Sequence, residues 1–180
     1  MKKQKTIIIL SLVFVLLLGG AFALYTQLGA GWTPDQLTRL EQQPPATDFS
    51  VYDTEGNLVK LSDYFGKPIV LNFWASWCGP CQSEMPDFEE AYRQLGNDIH
   101  FLMVNVTGGR ETLSGAKSFI EHSGYTFPVL YDVDGDAANA YRVYSLPTTY
   151  FIDANGHLIA QATGAINAAT LQHGIGMITA

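Results

Sequence analysis

Residues 68–74, PIVLNFW, are apolar apart from Asn72, and this run limits the choice of fold. A strand with one solvated face alternates apolar and polar residues, whereas a strand covered on both faces is an unbroken apolar segment. Covered strands of this kind belong to sheets that have helices on both sides. The run therefore predicts a central strand of an α/β sheet.

The elements after this strand alternate between helices and strands. A helix is predicted over residues 79–95 because its apolar residues recur every three or four positions along one face. Further helices are predicted within 111–124, 135–144 and 167–178, and further strands within 99–106, 127–132, 148–153 and 157–163. This order predicts parallel central strands with an antiparallel edge.

Two β-hairpins are predicted from their turn sequences. One lies within residues 48–61, with its turn at 53–57, and the other joins the last two strands through Ala154-Asn155-Gly156. The chain is expected to form a domain over residues 46–180, preceded by a linker at 29–45. In that linker, residues 33–42 could form a short helix capped by Thr33.

Residues 1–28 predict a segment that enters or crosses a membrane. Three lysines within the first five residues precede an uncharged apolar run of about 20 residues, the length of a membrane-spanning helix. The lysines favour a cytoplasmic N-terminus. One interpretation is a single-pass anchor in the cytoplasmic membrane, favoured because the apolar run continues past Ala21-Phe22-Ala23. The other is a signal peptide cleaved at that tripeptide, which would release a secreted protein. Both interpretations place the remaining chain on the extracytoplasmic side.

The exported part of the chain is acidic. All 17 Asp and Glu residues lie after residue 30, with 7 of the 10 Lys and Arg residues, so this part carries a formal charge of −10. Such a charge argues against nucleic acid as a partner and does not identify a substrate.

The only two cysteines, Cys78 and Cys81, lie where the central strand gives way to a helix. A disulfide that closes so short a loop adds only about 2 kcal/mol, which disfavours a purely structural bridge. A zinc site needs four ligands, and no second Cys-x-x-Cys or paired histidine motif is present, so no metal is predicted.

A reactive dithiol fits the position of this pair better. The first residues of a helix offer unpaired N–H groups, and the helix dipole favours negative charge there, so a cysteine thiolate is stabilised at that position. Pro80 fits the first turn, where a missing N–H costs nothing. We therefore predict that Cys78 attacks a disulfide and that Cys81 resolves the mixed disulfide.

The sequence around the pair resembles the thioredoxin superfamily. WCGPC at residues 77–81 is the thioredoxin active-site motif, and YSLPTTYFID at 144–153 resembles the later segment whose proline faces the dithiol. Residues 45–75 resemble the N-terminal hairpin of the membrane-tethered, extracytoplasmic TlpA/ResA-like thioredoxins, and residues 111–130 take the place of their central insertion. The resemblance covers residues 46–180. It implies a thioredoxin fold with an N-terminal β-hairpin extension and a central helix–strand insertion, preceded by one transmembrane helix.

The resemblance also implies which residues bind the client. Pro147 is expected to form a cis peptide bond, and the backbone at Leu146 to pair with the client peptide. Trp77, Gly79 and Pro80 are expected to border that peptide. Three other aromatic residues are assigned to the core: Phe127, Tyr141 and Tyr144.

Glu84 is the third residue with an expected catalytic role. It follows Cys81 by three positions and so shares its helix face. The resemblance implies an acid that handles protons during exchange, and the alternative is a solvated helix glutamate. Asn72 stands where thioredoxins usually carry a buried Asp, so proton transfer to Cys81 has to use Glu84, water or another group.

These observations predict a thiol–disulfide oxidoreductase that works as a reductant of extracytoplasmic protein disulfides, without a cofactor and as a monomer. The Gly-Pro spacer is that of thioredoxin, whose potential is about −270 mV, against about −120 mV for a strong oxidant. The resemblance implies a membrane electron donor of the CcdA/DsbD type. It also implies apocytochrome c, another secreted disulfide protein or a methionine sulfoxide reductase as client.

Other functions stay open at this point. A disulfide oxidase or isomerase would use the same dithiol. A non-catalytic binding module, such as a metallochaperone, would use the same fold for another purpose. A peroxidase is disfavoured because no peroxide-activating Thr and Arg motif surrounds Cys78.

Overall fold

The structure, a computed structural model, describes residues 19–20 and 37–179. Apart from residues 19–20, the predicted membrane segment at 1–28 lies outside the described residues, and so does the linker up to residue 36. No helix in the described part of the chain is long and apolar enough to cross a membrane.

Residues 37–179 form a mixed sheet of eight strands. The strands are β1 (Leu37–Arg39), β2 (Ser50–Tyr52), β3 (Leu58–Lys60), β4 (Ile69–Trp74), β5 (His100–Asn105), β6 (Val129–Tyr131), β7 (Thr148–Ile152) and β8 (Leu158–Thr163). Their order across the sheet is β1-β8-β7-β4-β5-β6-β2-β3. Strands β4, β5 and β6 are parallel, and the outer strands on both sides are antiparallel. The predicted parallel centre is confirmed, and both edges of the sheet are antiparallel.

Strand β4 is central, as its apolar sequence predicts. It lies between β5 and β7, and all six of its residues are buried. Because successive side chains point to opposite faces, Val70 and Trp74 join one apolar cluster while Leu71 and Phe73 join the other. Asn72 therefore points to the same face as Val70 and Trp74.

Within residues 37–179, one short 3₁₀ helix spans Leu61–Tyr64, and four α-helices pack on the sheet. They are α1 (Gly79–Leu95), α2 (Leu113–Ser123), α3 (Asp136–Ala140) and α4 (Ala168–Ile178). Helices α1, α2 and α4 contribute to the apolar cluster on the Val70 face, and α3 contributes to the other. Local residues determine where two of these helices begin and end. Thr112 and Asn167 cap the N-termini of α2 and α4 with their side chains, and Gly124 ends α2 in the left-handed conformation.

The first strand corrects the expectation of a helix at residues 33–42. Leu37–Arg39 form β1, which pairs antiparallel with Ala160–Ala162 of β8. A short isolated helix buries little, whereas this strand buries Leu37 and satisfies the open edge of β8. The sheet thus already includes residue 37, ahead of residue 46.

Candidate active site

The cysteine pair lies at the carboxyl end of β4, where the chain turns into α1. Cys78 is the N-cap of α1, with extended backbone at φ −86° and ψ 102°. Its Sγ accepts a hydrogen bond from the amide of Cys81 at 3.3 Å. Pro80 occupies the first turn, as its missing N–H predicts. The strand-to-helix turn thus directs a helix N-terminus at one sulfur.

The two cysteines form a disulfide with an S–S distance of 2.11 Å. Cys81 is fully buried at 0% exposed, and Cys78 is 5% exposed. Only Cys78 of the two lines the adjoining groove. This asymmetry supports the prediction that Cys78 meets the client and Cys81 resolves.

A groove of about 310 Å³ opens beside Cys78. It is lined by Trp77 next to Cys78, by Val106 after β5, and by the segment before β7 that includes Tyr144 and Leu146. The side chains of Trp77 and Tyr144 are 45% and 91% exposed. The assignment of Tyr144 to the core is therefore wrong: the loop before β7 turns this ring outward, over the groove.

The segment that carries Leu146 also carries the predicted proline. The Leu146–Pro147 peptide bond is cis, as the resemblance predicts, and Pro147 is buried directly before β7. Gly79 follows Cys78 as the first residue of α1, and a Cβ placed there would meet no atom within 4 Å. The surface above Gly79 is therefore open to an approaching backbone.

Glu84 is buried on α1, one turn after Cys81, at 2% exposed. Its Oε1 accepts the Asn72 amide at 2.8 Å and its Oε2 accepts the backbone N–H of Ile166 at 2.9 Å. Burial raises the pKa of Glu84 to about 7, because desolvation penalises the carboxylate more than these two hydrogen bonds stabilise it. The alternative of a solvated glutamate is therefore wrong.

Asn72 connects Glu84 to the sheet. Its Nδ2 donates both to Glu84 and, at 3.0 Å, to the hydroxyl of Thr149 on β7. Its Oδ1 is buried and has no hydrogen-bond partner among the described residues. A buried acceptor without a donor is unfavourable and is rare in folded proteins. In the sequence, Asn72 stood out only as the replacement of an Asp, whereas in the structure its side chain is hydrogen-bonded to Glu84, the candidate proton carrier.

A second segment, which the sequence did not reveal, holds the active-site turn. Glu111, just before α2, is 4% exposed, and its carboxylate accepts hydrogen bonds from both the amide and the hydroxyl of Ser76. It also accepts the side-chain amide of Asn105 at 3.3 Å. Ser76 directly precedes Trp77 and Cys78, so Glu111 fixes the turn that carries the dithiol. In sequence, Glu111 looks like an ordinary acidic residue at a helix start.

No group of three or more His, Cys, Asp or Glu side chains that could hold a metal ion occurs within the described residues.

An α/β sheet that presents a Cys-x-x-Cys disulfide at the start of a helix, next to a cis proline, defines the thioredoxin-fold class of proteins. Comparison with known proteins agrees. The family model described as AhpC/TSA matches residues 43–161. The chain is 38% identical over 170 residues to thiol–disulfide oxidoreductase ResA of Geobacillus kaustophilus, with 92% of each chain covered.

Further matches cover nearly whole proteins. ResA of Bacillus subtilis is 31% identical over 166 residues, which are 92% of this chain and 88% of that protein. The crystal structure of an exposed lipoprotein thioredoxin from Streptococcus pneumoniae matches with a TM-score of 0.65 at 32% identity, covering 72% of this chain and 98% of that one. The chain therefore belongs to the AhpC/TSA family and, within it, to the ResA-like thiol–disulfide oxidoreductases.

Proposed function

We propose that this thiol–disulfide oxidoreductase works as a reductant of protein disulfides outside the cytoplasm. The observation that carries the exchange chemistry is the pairing of one sulfur on an open groove, Cys78, with one fully buried sulfur, Cys81. An attacking thiol has to be reached by a client, whereas a resolving thiol only has to reach its neighbour. The reducing direction rests on the Gly-Pro spacer between the two cysteines.

The exchange starts from the reduced protein. The Cys78 thiolate, favoured by the helix N-terminus and the Cys81 amide, attacks one sulfur of the client disulfide. A bond forms between Cys78 and that sulfur, and the other client sulfur leaves as a thiolate. Cys81 then loses its proton and attacks the Cys78 sulfur. This step releases the second client thiolate and leaves the Cys78–Cys81 disulfide seen in the structure.

Glu84 takes the proton of Cys81 in this proposal. Cys81 is sealed from solvent, so its proton needs an acceptor inside the protein. Glu84 shares its helix face and has a pKa near neutrality, where a carboxyl group can both accept and release a proton. Each carboxylate oxygen keeps a free acceptor site beyond its hydrogen bond to Asn72 or Ile166.

The client segment is held in the groove beside Cys78. Trp77 and Leu146 both line it, and Pro147 follows Leu146 through the cis peptide bond. Gly79 and Pro80 are the first two residues of α1. Because Gly79 has no side chain, a client backbone has room to approach there. These five residues make up the client-binding surface that we propose.

The site of action and the partners rest on the sequence. The N-terminal lysines and apolar run support a cytoplasmic-membrane anchor with the catalytic domain outside, and signal cleavage is the alternative. Disulfides dominate in that compartment, so a reductant there needs electrons from inside. A membrane carrier of the CcdA/DsbD type would supply them to the monomeric protein. Apocytochrome c, another secreted disulfide protein or a methionine sulfoxide reductase would be the client.

Two measurements test the proposal. Reduction of insulin disulfides should be lost in Cys78→Ala. Equal activity of that variant and wild type would contradict the catalytic role and favour a non-catalytic binding module. A redox titration should place the midpoint near the value of thioredoxin, about −270 mV, and a midpoint near about −120 mV would show an oxidase. The client is identified by trapping its mixed disulfide with Cys81→Ala in cells.

A further inference from the structure

Arg110 lies at the tip of a tight turn between β5 and α2. Gly108 and Glu111 exchange two backbone hydrogen bonds, of 3.1 and 3.0 Å, which close the turn around Gly109 and Arg110. Gly108 and Gly109 have φ of 126° and 60°, in the region that favours glycine. The backbone before Arg110 is therefore fixed by its own sequence.

The same turn is bonded to the active-site turn. Through Ser76, the Glu111 carboxylate holds it next to the residues that carry the dithiol. Arg110 then lies over the neighbouring Trp77, with its Cζ 4.5 Å from the ring centroid. Trp77 lines the client groove, so the arginine is placed at the rim of that groove.

The guanidinium of Arg110 is free to bind a carboxylate. The side chain is exposed, and no carboxylate among the described residues lies within 4 Å of it. A guanidinium stacked on an aromatic face still presents its N–H groups outward in its plane, in the geometry that matches a carboxylate. Stacking also restricts the side chain in advance, which lowers the entropy lost when a ligand binds.

The charge of the surroundings makes this cation distinctive. The chain after residue 30 carries a formal charge of −10, so its overall field repels acidic partners. Arg142 is also exposed and precedes Val143, which lines the same groove. Arg110 thus places a positive charge against a residue that lines the groove beside Cys78.

We infer that Arg110 is a specificity residue that binds an acidic side chain close to the client's reacting cysteine. Trp77 contacts the apolar part of the client segment, and Arg110 pairs with the carboxylate beside it. This inference rests on the proposed attack by Cys78, and it adds the chemical class of client: segments with Asp or Glu next to the cysteine. Complementary charge of this kind chiefly raises the rate of productive encounter.

Two peptides that differ only in Glu or Gln next to a single cysteine test the inference. Each peptide carries its cysteine as a mixed disulfide with neutral 2-thiopyridine. The Cys78 thiolate of the reduced full-length protein attacks the peptide sulfur, forms a bond to it and expels 2-thiopyridone, whose absorbance is followed. At low salt, wild type should react roughly fivefold to tenfold faster with the Glu peptide, and added salt should reduce this preference.

Substitution of Arg110 should remove the preference and little else. Arg110→Gln should react with both peptides at the same rate, within about twofold of the wild-type rate for the Gln peptide. Arg110→Lys should keep part of the preference, because it keeps the charge but not the planar donor geometry. Arg39→Gln removes an exposed arginine on β1 and should behave as wild type.

Either of two results would overturn the inference: equal wild-type rates for the two peptides, or a Glu preference that survives in Arg110→Gln. A wild-type protein that reacts with neither peptide would contradict the attack by Cys78, and the role of Arg110 would fall with it.

Discussion

Two buried glutamates on helix α1 have opposite properties. Glu84 is 2% exposed and Glu89 is 8% exposed, and they are little more than one turn apart. The carboxylate of Glu84 accepts two hydrogen bonds, both from neutral groups. Glu89 accepts bonds from Arg93 at 2.9 Å, from the amide and hydroxyl of Thr126 at 2.7 Å each, and from the amide of Phe127 at 3.3 Å.

This difference in donors decides the charge of each residue. Burial disfavours the charged form of both, and in Glu84 burial prevails and raises the pKa to about 7. In Glu89 the donors, which include one cation, outweigh burial and lower the pKa. A buried carboxylate with few donors can therefore exchange a proton near neutral pH, whereas one with many donors is a fixed anion that joins α1 to the loop before β6.

The largest expected effect separates the two residues by activity. Glu84→Gln should slow resolution of the mixed disulfide by Cys81 by about 10²- to 10³-fold, because it removes the proton acceptor. Rapid mixing of wild type and variant with a disulfide peptide measures this step. Glu89→Gln is the matched control, and its rate of resolution should stay within about twofold of the wild-type rate. An unchanged rate of resolution in Glu84→Gln would show that Glu84 does not accept the proton of Cys81.

The second effect is the opposite pH dependence of stability. Glu84 has a folded pKa of about 7 against 4.5 for the ordinary group, so folding favours its protonated form. Its contribution is complete below pH 4.5 and is lost as pH rises to about 7, which amounts to about 3 kcal/mol. Glu89 has a lowered pKa, so its contribution is present above its ordinary pKa of 4.5 and is lost at lower pH.

Urea unfolding of the oxidised protein across this pH range checks the signs. Compared with wild type, Glu84→Gln should be more stable at alkaline pH and should lose less stability between pH 4.5 and about 7. Glu89→Gln should instead lose less stability than wild type when the pH falls below about 4.5. Parallel pH profiles for wild type and Glu84→Gln would show that the Glu84 pKa is not raised.

The third effect is on stability near neutral pH. Glu89→Gln should lower the free energy of unfolding by about 2 kcal/mol, because hydrogen bonds to a charged acceptor become neutral ones. Glu90→Gln alters the exposed neighbour on the same helix and should change it by less than about 0.5 kcal/mol. Denaturant unfolding of the three proteins side by side measures both values. Equal stability of Glu89→Gln and wild type would show that the donors do not anchor the loop.

The smallest effect concerns the donors themselves. Asn72→Ala removes one of the two hydrogen bonds to Glu84, so the pKa of Glu84 should rise further, by up to about one unit. The midpoint of the pH dependence of resolution should move upward by the same amount. Thr149→Val, which leaves the Asn72–Glu84 bond intact, is the control. A downward shift of this midpoint in Asn72→Ala would contradict the claim that fewer hydrogen-bond donors raise the pKa of Glu84.

Local sequence predicted those parts of the molecule that local forces determine. Helix α1 has the predicted bounds because its apolar stripe, its N-terminal proline and the following Gly96 act within one segment. The cysteines were identified because their spacing and position carry the chemistry. Strand β1 was not predicted, because its conformation depends on β8, more than 110 residues later in the chain.

The site residues that sequence did not reveal depend on contacts between distant segments. Glu111 reaches Ser76 across 35 positions, and Ile166 reaches Glu84 across 82. Neither contact leaves a periodic pattern in the sequence. For Glu84, the sequence indicated the helix face but not the burial that sets its pKa, because burial depends on β4 and on the loop before α4. Tyr144 shows the reverse error, since an aromatic residue near a strand was assigned to the core.

The pairing of β1 with β8 also protects the edge of the sheet from pairing with strands of other copies of the protein. Both edge strands, β1 and β3, have three residues and end in an exposed cation, Arg39 or Lys60. Short, charged edges offer a poor template for strand addition. A protein cut before residue 46 would instead expose the six-residue β8 as an edge, and such a truncated form is expected to aggregate.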